Sequence, residues 1–174
     1  MSIHIIIDGY NLIRQSGVLS SLDRQDLQQG REALVEMLSA YKKMKPHRIT
    51  VVFDGGNAPP LTPKRDRVKG IEILFSRQGE LADALIKKIA SKEREKALVV
   101  SSDRDVADFA AAMGCATINA QAFEDRISMA VLMEEKGIED DESSRGWVPT
   151  TKKKGPSKRL TKRARRNRKK IGKL

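Results

Sequence analysis

The chain has 174 residues, with 34 Lys plus Arg, 23 Asp plus Glu, one cysteine and 39% hydrophobic residues. This length predicts one domain of roughly 100 to 150 residues with an appended segment. The lone cysteine, Cys115, excludes a disulfide-bonded scaffold and a cysteine zinc site. No apolar run approaches the ~18 residues of a membrane helix, and the N-terminus has no basic leader, so we expect a cytoplasmic protein without a membrane partner.

The positive charge is concentrated at the C-terminal end of the chain. Residues 150–174 carry 13 basic and no acidic side chains, whereas residues 1–149 carry 21 basic and 23 acidic ones. A block of like charge repels itself and buries little apolar surface, which predicts a disordered basic tail over residues 150–174 that binds a polyanion such as RNA. The alternative is a solvated terminus. Residues 138–149 contain EDDE followed by Ser, Gly and Pro, and they predict an acidic linker.

Short apolar runs alternate with segments of helical periodicity along the rest of the chain. The predicted strands are residues 3–7, 49–53, 71–75, 97–101 and 116–118. The predicted helices are about 24–43 with Asp23 as the N-cap, 80–92, a short one that Asp103 or Arg104 begins and Gly114 ends, and 123–135. This alternation is typical of an α/β fold in three layers, α/β/α, with a central parallel sheet of about five strands.

The stretch between Asp54 and Gly70 breaks the alternation, because its prolines and glycines forbid a helix. It predicts an exposed loop whose basic residues bind along a nucleic acid strand. These predicted RNA-binding residues are Lys64, Arg65, Arg67 and Lys69.

Acidic residues follow three of the predicted strands. They are Asp8, Asp54 and Asp103, with Asp105 two residues further on. The carboxyl ends of parallel strands share one edge of a sheet, so we expect these side chains to converge there. Crowded carboxylates repel each other and raise one another's pKa, and a cation relieves this repulsion. With only two histidines in the chain, oxygen ligands favour Mg²⁺ or Mn²⁺ over zinc.

Each acidic residue also has a simpler structural role as an alternative. An Asp-Gly pair after a strand, as at Asp8 and Asp54, is common turn chemistry. Glu80 and Asp83 begin a predicted helix, where acids are favoured by the helix dipole or point at the same sheet edge. Asn11 either orients a carboxylate or phosphate, or it caps a helix or turn. The convergence at one edge favours the metal site.

The segments HIIIDGYNLI, TVVFDG, GELADALI and VVSSDRDVADFA resemble the NYN-domain branch of the PIN-like nucleases, in particular the YacP-like subfamily. The resemblance covers about residues 1–135, and it implies a PIN-like nuclease domain over residues 1–137. It also implies a metal-dependent endoribonuclease with an acidic site for Mg²⁺ or Mn²⁺. The subfamily includes a ribosome-associated endonuclease that cuts messenger RNA, so the implied partners are single-stranded mRNA and the ribosome.

Carried over by position, the resemblance implies catalytic roles for Asp8, Asn11, Asp83, Asp103 and Asp105. It implies metal-ligand roles for the same four aspartates. Asp54 is added as a metal ligand because it is similar to the acid that ends the second strand in the related flap-nuclease group. The basic tail lies outside the resemblance, and its predicted RNA-binding residues follow from charge alone: Lys152, Lys153, Lys154, Arg163, Arg165, Arg166, Arg168, Lys169 and Lys170.

Other functional classes fit the sequence less well. A phosphotransfer hydrolase of the haloacid dehalogenase type needs a second Asp where Tyr10 stands, and neither the Rossmann nor the P-loop glycine fingerprint follows the first strand. The serious alternative is a non-catalytic RNA- or ribosome-binding module. The enzyme is favoured because Asp8, Asp83 and Asp103 are all present. The sequence leaves open the RNA target, DNA as a substrate, the number of metal ions and the oligomeric state.

Overall fold

The computed structural model of the chain describes residues 2–57, 63–77, 79–135 and 161–174. These residues form a single sheet, whose strands are β1 (His4–Asp8), β2 (Arg48–Phe53), β3 (Arg65–Val68), β4 (Ile71–Phe75), β5 (Ala97–Val100) and β6 (Ala116–Ile118). The strand order is β3-β4-β2-β1-β5-β6. All pairings are parallel except that of β3 with β4. The predicted α/β class and central parallel sheet are therefore confirmed.

The described residues also form seven α-helices, which are α1 (Gly9–Gln15), α2 (Gly17–Gln25), α3 (Leu27–Met44), α4 (Ala82–Glu93), α5 (Arg104–Ala112), α6 (Ala120–Glu135) and α7 (Lys162–Ile171). Alternation along the strands sends side chains to both faces of the sheet. Ile5 and Ile7 join a core with residues of α1, α3 and α6, and Ile6 joins a second core with residues of α4 and α5. Within the described ranges, no helix is both long enough and apolar enough to cross a membrane.

The sequence analysis missed α1 and α2. The helix predicted over about residues 24–43 is α3, and its first two residues are instead the end of α2. Asp26 lies between α2 and α3 in an extended conformation, and its carboxylate accepts a hydrogen bond from the Gln28 amide at 2.8 Å. Asp26 rather than Asp23 is therefore the N-cap of the long helix. Asp23 instead packs against Gly30, where an added Cβ would lie 2.9 Å from the Asp23 Cβ. This hydrogen bond from a backbone amide to a short polar side chain begins the long helix at Leu27, later than periodicity alone predicted.

The predicted basic loop contains a strand that the sequence analysis missed. Residues 65–68 form β3, an antiparallel edge strand whose four side chains are all exposed. Apolar alternation is therefore absent, and the charged residues on this short edge discourage pairing with another chain. Lys64 and Lys69 flank the strand.

The prediction of a disordered tail is wrong for residues 161–174. The Thr161 hydroxyl caps α7, and the Asn167 side chain pairs with both backbone groups of Thr117 on edge strand β6, at 2.8 and 3.2 Å. Leu174 is only 8% exposed and belongs to the main core, where the Tyr41 hydroxyl donates to its carbonyl at 3.1 Å. The apolar and amide residues face the sheet and core, whereas Arg163, Arg165, Arg168 and Lys169 are exposed to solvent.

The predicted linker over 138–149 and the first part of the predicted tail lie outside the described residues. So do three of the predicted RNA-binding lysines, Lys152, Lys153 and Lys154.

Candidate active site

A cleft of about 380 Å³ opens at the carboxyl ends of β1 and β2. It brings together four of the predicted site residues, Asp8, Asn11, Asp54 and Asp83. The other residues that line it are Tyr10, Arg14, Gln15, Leu81 and Ala82. The expected convergence of acidic residues at one sheet edge is thus seen for three aspartates, because β1 and β2 are parallel neighbours and α4 begins beside them.

Asp8 is the most buried carboxylate of the cleft, with 8% of its surface exposed. It ends β1 and caps α1, so that Oδ1 accepts from the Asn11 amide at 3.2 Å and Oδ2 accepts from the Ser101 hydroxyl at 3.3 Å. Burial, reinforced by the charges of Asp83 and Asp103, raises the pKa of Asp8 to about 6 despite these hydrogen bonds. An ionised Asp8 is therefore held at a cost that a bound cation would offset.

The two Asp-Gly pairs owe their glycines to close packing rather than to a left-handed backbone. A Cβ on Gly9 would lie 2.3 Å from the Phe53 ring, and a Cβ on Gly55 would lie 2.0 Å from the Ser76 carbonyl oxygen. Neither contact leaves space for a side chain. These glycines let the strand ends that carry Asp8 and Asp54 approach their neighbours.

Asn11 joins two strand ends across the cleft wall. Its side-chain oxygen accepts from the Ser102 amide at 2.9 Å, after β5. The Ser102 hydroxyl in turn donates to Gln15 at 2.7 Å and accepts from the Ala120 amide at 3.1 Å. Asn11 therefore holds the turn after β1 against the turn after β5, which makes it a positioning residue for the aspartates of both turns.

Asp83 and Asp54 line the cleft together with Asp8. Burial, followed by the charges of Asp103, Asp105 and Asp54, raises the pKa of Asp83 in the first turn of α4. Asp54 also serves its own turn, because its Oδ1 accepts from the Gly56 amide at 2.8 Å. The charges of neighbouring aspartates thus act on the pKa of Asp83 as they do on that of Asp8.

Asp103 and Asp105 lie beside the cleft but do not line it. The Asp103 carboxylate caps α5 by accepting from the Asp105 and Val106 amides at 2.7 and 3.4 Å. Asp105 is 77% exposed and forms an ion pair with Lys87 of α4. The structure therefore places Asp103 at the rim and turns Asp105 toward a cation of the chain itself. Glu80, which the sequence analysis weighed with Asp83, is also absent from the cleft lining.

The donor set suits a hard cation, although it is sparse. Among the residues that the structure describes, no three His, Cys, Asp or Glu side chains come close enough together to hold one ion. Mg²⁺ is commonly bound by one or two carboxylates, with water and substrate phosphate completing its shell. Asp8 and Asp83 are the two carboxylates whose burial and raised pKa fit that role.

Two basic residues near the aspartates escaped the sequence analysis. The Arg14 guanidinium lies over the Tyr10 ring, 5.6 Å from its centroid, and both residues line the cleft. Lys87 has its pKa raised by its hydrogen bond to Asp105 and by the charges of Asp83 and Asp103. The i, i+4 spacings of Tyr10 with Arg14 and of Asp83 with Lys87 were the available signals. The spacing of Tyr10 and Arg14 could not be interpreted from the sequence, because no helix was predicted over these residues.

The predicted RNA-binding residues that the structure describes do not line the cleft. Of those around β3, Arg65 pairs with Glu72 at 2.5 Å and Lys69 pairs with Glu36. On α7, Arg166 pairs with Glu95. The other predicted RNA-binding residues of these two surfaces that are exposed to solvent are Lys64, Arg67, Arg163, Arg165, Arg168 and Lys169.

Comparisons with known proteins agree with this fold. The model of the YacP-like NYN domain family matches residues 5–172. The uncharacterized protein YacP of Bacillus subtilis (strain 168) is 29% identical over 86 residues, 49% of this chain and 50% of the relative, so the chain spans about half the length of that relative. The family match includes the residues predicted as linker and tail.

Two solved structures resemble the chain. The crystal structure of Rae1 (YacP) from Bacillus subtilis has a TM-score of 0.62 at 25% identity, covering 79% of this chain and 82% of that chain. A mutant of the same protein has a TM-score of 0.62 at 20% identity, with 81% and 86% covered, and shows the fold alone. The resemblance noted in the sequence is confirmed, and the chain belongs to the YacP-like NYN domain family.

Proposed function

We propose that the protein is a metal-dependent endoribonuclease that hydrolyses RNA phosphodiester bonds in the cleft between β1, β2 and α4. NYN domains are generally nuclease-like, and the chain belongs to such a family. The proposed cofactor is Mg²⁺ or Mn²⁺, and the proposed substrate is single-stranded mRNA in the cytoplasm. Association with the ribosome is an extension of this proposal that rests on the family resemblance.

The observation that carries the proposal is the buried carboxylate of Asp8 at the carboxyl end of a central parallel strand. Burial and two neighbouring aspartates destabilise its charge, and it nevertheless lines an open cleft beside Asp83. A turn residue with no further role would gain nothing from this arrangement, since burying an ionised carboxylate costs free energy. Strongly perturbed acids in a cleft are typical of functional sites.

The roles of the chain's own residues follow from their contacts. A bound divalent cation would supply an acidified water and neutralise charge on the leaving oxygen. Asp8 and Asp83 would hold it, with Asp54 and Asp103 at the margin. Ser101 positions Asp8, because its hydroxyl donates to Oδ2 of Asp8 and accepts from the Asp103 amide at 3.1 Å.

Arg14 is the cation best placed to bind the RNA backbone at the cleft. Its guanidinium is stacked near Tyr10 on the same wall as Asp8. A strand that brings phosphate to several carboxylates needs positive charge nearby, and a planar guanidinium donates to phosphate oxygens in pairs. We assign Arg14 to substrate binding and orientation.

The basic face of α7 lies at the other end of the sheet from the cleft. Lys170 donates to the carbonyl of Ala97, the first residue of β5, at 3.2 Å. His47, directly before β2, donates to the carbonyl of Lys173 at 3.2 Å. RNA bound to α7 would therefore be held at a part of the molecule distant from the bond that is cut. It would add affinity that is independent of sequence and sensitive to salt.

Cleavage of a labelled single-stranded RNA by the full-length protein tests the proposal. Reactions contain Mn²⁺, Mg²⁺ or EDTA, with and without ribosomes, and a DNA of the same sequence tests the choice of nucleic acid. Asp8→Asn and Asp83→Asn are compared with Asp108→Asn, which removes an exposed carboxylate from α5. We expect metal-dependent cutting that both cleft variants lose and the Asp108 variant keeps, while RNA binding persists in all three.

The second candidate function is a non-catalytic RNA- or ribosome-binding module. The separate basic face of α7 favours it, since that face needs no cleft. RNA binding without cutting under every condition, ribosomes included, would establish this module and refute the nuclease.

A further inference from the structure

A second groove, of about 650 Å³, lies between α3 and the β3–β4 pair. Its apolar surface comes from Val35, Phe53, Val68, Ile73 and Phe75. Val68 of the edge strand β3 is 37% exposed and Phe75 is partly exposed, whereas Val35, Phe53 and Ile73 are buried. The polar residues along the groove are Gln28, Arg31, Glu32, Glu36, Asp66 and Lys69.

Aromatic rings connect this groove with the cleft. Tyr10 lines the cleft and packs edge-on against Phe53, with 5.1 Å between the ring centroids. Phe53 in turn stacks on Phe75 at 5.7 Å. Arg31 spans the junction, since it donates to the Tyr10 hydroxyl at 2.9 Å and lies 5.8 Å from the Phe75 centroid. Because Phe53 ends β2 and Phe75 ends β4, this end of the groove lies at the same sheet edge as the cleft, within reach of a strand whose phosphate is in the cleft.

We propose that the groove binds a nucleobase of the RNA strand held in the cleft, and that it prefers bases with an exocyclic amino group. The proposal rests on the proposed ribonuclease function, which supplies the occupant. The apolar lining suits the face of a planar base, with Phe75 and Val68 as its exposed part. The groove would thereby select which nucleotide lies next to the cut.

The preference follows from the carboxylates on the rim. Glu36 is neutralised by Lys69, whereas Glu32 is hydrogen-bonded to the neutral Gln28 amide at 2.7 Å and Asp66 to the Arg67 backbone amide. A carboxylate has about four acceptor sites and no donor. Glu32 and Asp66 therefore retain capacity for an amino group of cytosine or adenine.

The same carboxylates disfavour binding of other parts of the RNA in the groove. A phosphate would be repelled by them, and the O4 of uracil would place one acceptor against another. Cytosine and uracil differ chiefly at this position, because cytosine presents an amino donor where uracil presents a carbonyl. Comparing these two pyrimidines isolates the hydrogen bond from differences in stacking.

The test measures binding of 5′-labelled octamers of cytidine and of uridine to the full-length protein by fluorescence anisotropy in EDTA. We expect the wild type to bind the cytidine octamer about ten-fold more tightly, the lower end of the ratio expected for one net hydrogen bond to a charged acceptor. Glu32→Gln combined with Asp66→Asn should bring the ratio close to one. The amides of these variants both donate and accept, so they accommodate either base.

A matched control comes from α6. Gln121 donates to Asp125 at 3.0 Å across one helical turn, as Gln28 does to Glu32. Asp125→Asn should leave the ratio of the two affinities unchanged. In addition, backbone and methyl NMR signals of Val35, Val68 and Ile73 should shift when the cytidine octamer is added, which locates the base without relying on any variant.

Equal affinity for the two octamers, or a preference that survives in the double variant, would overturn the proposal. Unshifted signals in the groove would overturn it as well and would leave the groove to another occupant, such as a peptide segment. Because binding is measured without metal, the result is separable from the nuclease proposal. Metal-dependent cutting without a base preference would refute only the proposal that the groove binds a base. A base preference without cutting would refute only the proposal that the protein is a nuclease.

Discussion

The charged side chains at the two ends of the parallel strands differ in whether they have partners of opposite charge. At the carboxyl ends, Asp8 and Asp83 are crowded with other aspartates, and burial raises the pKa of both. At the amino ends, α7 brings a dense set of cations, yet Arg166 and Lys170 meet the oxygens of Glu95 and Ala97. The aspartates at the carboxyl ends therefore repel one another, whereas the basic side chains at the amino ends are either bonded to an oxygen or exposed to solvent.

This difference separates a candidate chemical site from a structural contact. Proteins satisfy buried polar groups wherever they can, and they accept exceptions where function requires them. The contact of α7 with β6 follows the rule, since Asn167 satisfies both backbone groups of Thr117. The cleft departs from it in charge and not in hydrogen bonding, since Asp8 has hydrogen-bond partners but its charge is buried near like charges. We therefore expect variants at the two ends to have different consequences.

Replacing Asp8 by Asn is expected to have the largest effect on activity. The amide keeps the shape of the side chain but cannot hold a divalent cation, so metal-dependent cleavage should fall on the order of 100-fold or more. Single-turnover cleavage of labelled RNA measures the loss, with Asp108→Asn as the control. An Asp8→Asn protein that retained about a tenth of the wild-type rate or more would remove the cleft from the proposed mechanism.

The same variant should be more stable than the wild type in EDTA at pH 7.5. Raising the Asp8 pKa from 3.8 to about 6 corresponds to a cost of roughly 2 to 3 kcal/mol for the ionised folded state. The folded protein takes up the proton as the pH falls through 6, before the unfolded chain does at about 4. The cost is thus fully present above pH 6 and disappears toward pH 4.

Urea unfolding at several pH values measures this gain. The difference between Asp8→Asn and the wild type should shrink from pH 7.5 to pH 4, and added Mn²⁺ should stabilise only the wild type. A variant that is less stable than the wild type at pH 7.5 would mean that the hydrogen bonds of Asp8 outweigh its burial.

At the opposite end, Leu174→Ala should destabilise the protein by about 2 to 3 kcal/mol, because it removes a buried side chain from the main core. Lys169→Ala on the solvent side of α7 should change the free energy of unfolding by less than about 0.5 kcal/mol. Urea unfolding compares the two variants. Equal stability of both would show that α7 does not dock in solution.

The smallest effect is expected from neutralising the exposed charges of α7. Replacing Arg165, Arg168 and Lys169 by Gln should raise KM for RNA a few-fold, with kcat unchanged, because the helix is distant from the cleft. The log–log slope of affinity against salt should weaken by about 0.7 for each RNA phosphate that α7 no longer binds. Exposed lysines of α4 and its following turn, Lys88, Lys92 and Lys96, give a control with the same change in charge. An equal effect of both triple variants would mean that only net charge matters.

Some elements of the fold could be predicted from the sequence and others could not. The runs that became β1, β2, β4, β5 and β6 were predictable because central parallel strands are buried on both faces and are therefore apolar. Strand β3 was not, since an exposed edge strand has no apolar pattern. The split between α2 and α3 depended on one hydrogen bond of Asp26, which resembles any other aspartate in a periodic segment.

For the candidate site, the sequence located Asp8, Asp54 and Asp83 at one edge, and the structure assembles them in one cleft. It did not predict that Asp105 would be paired with Lys87, or that Arg14 would face the aspartates. Those contacts join elements whose relative placement depends on packing. No spacing along the chain encodes them.

The sequence by itself determined the five parallel strands, the order of acids after them and the family, since these depend on local composition and motifs. Only the tertiary structure decided the pKa of Asp8, the groove beside Phe75 and the conformation of residues 161–174. Burial and convergence are properties of residues distant in the chain. The same basic segment that composition assigns to disorder is ordered here because Asn167 and Leu174 find partners on β6 and in the core.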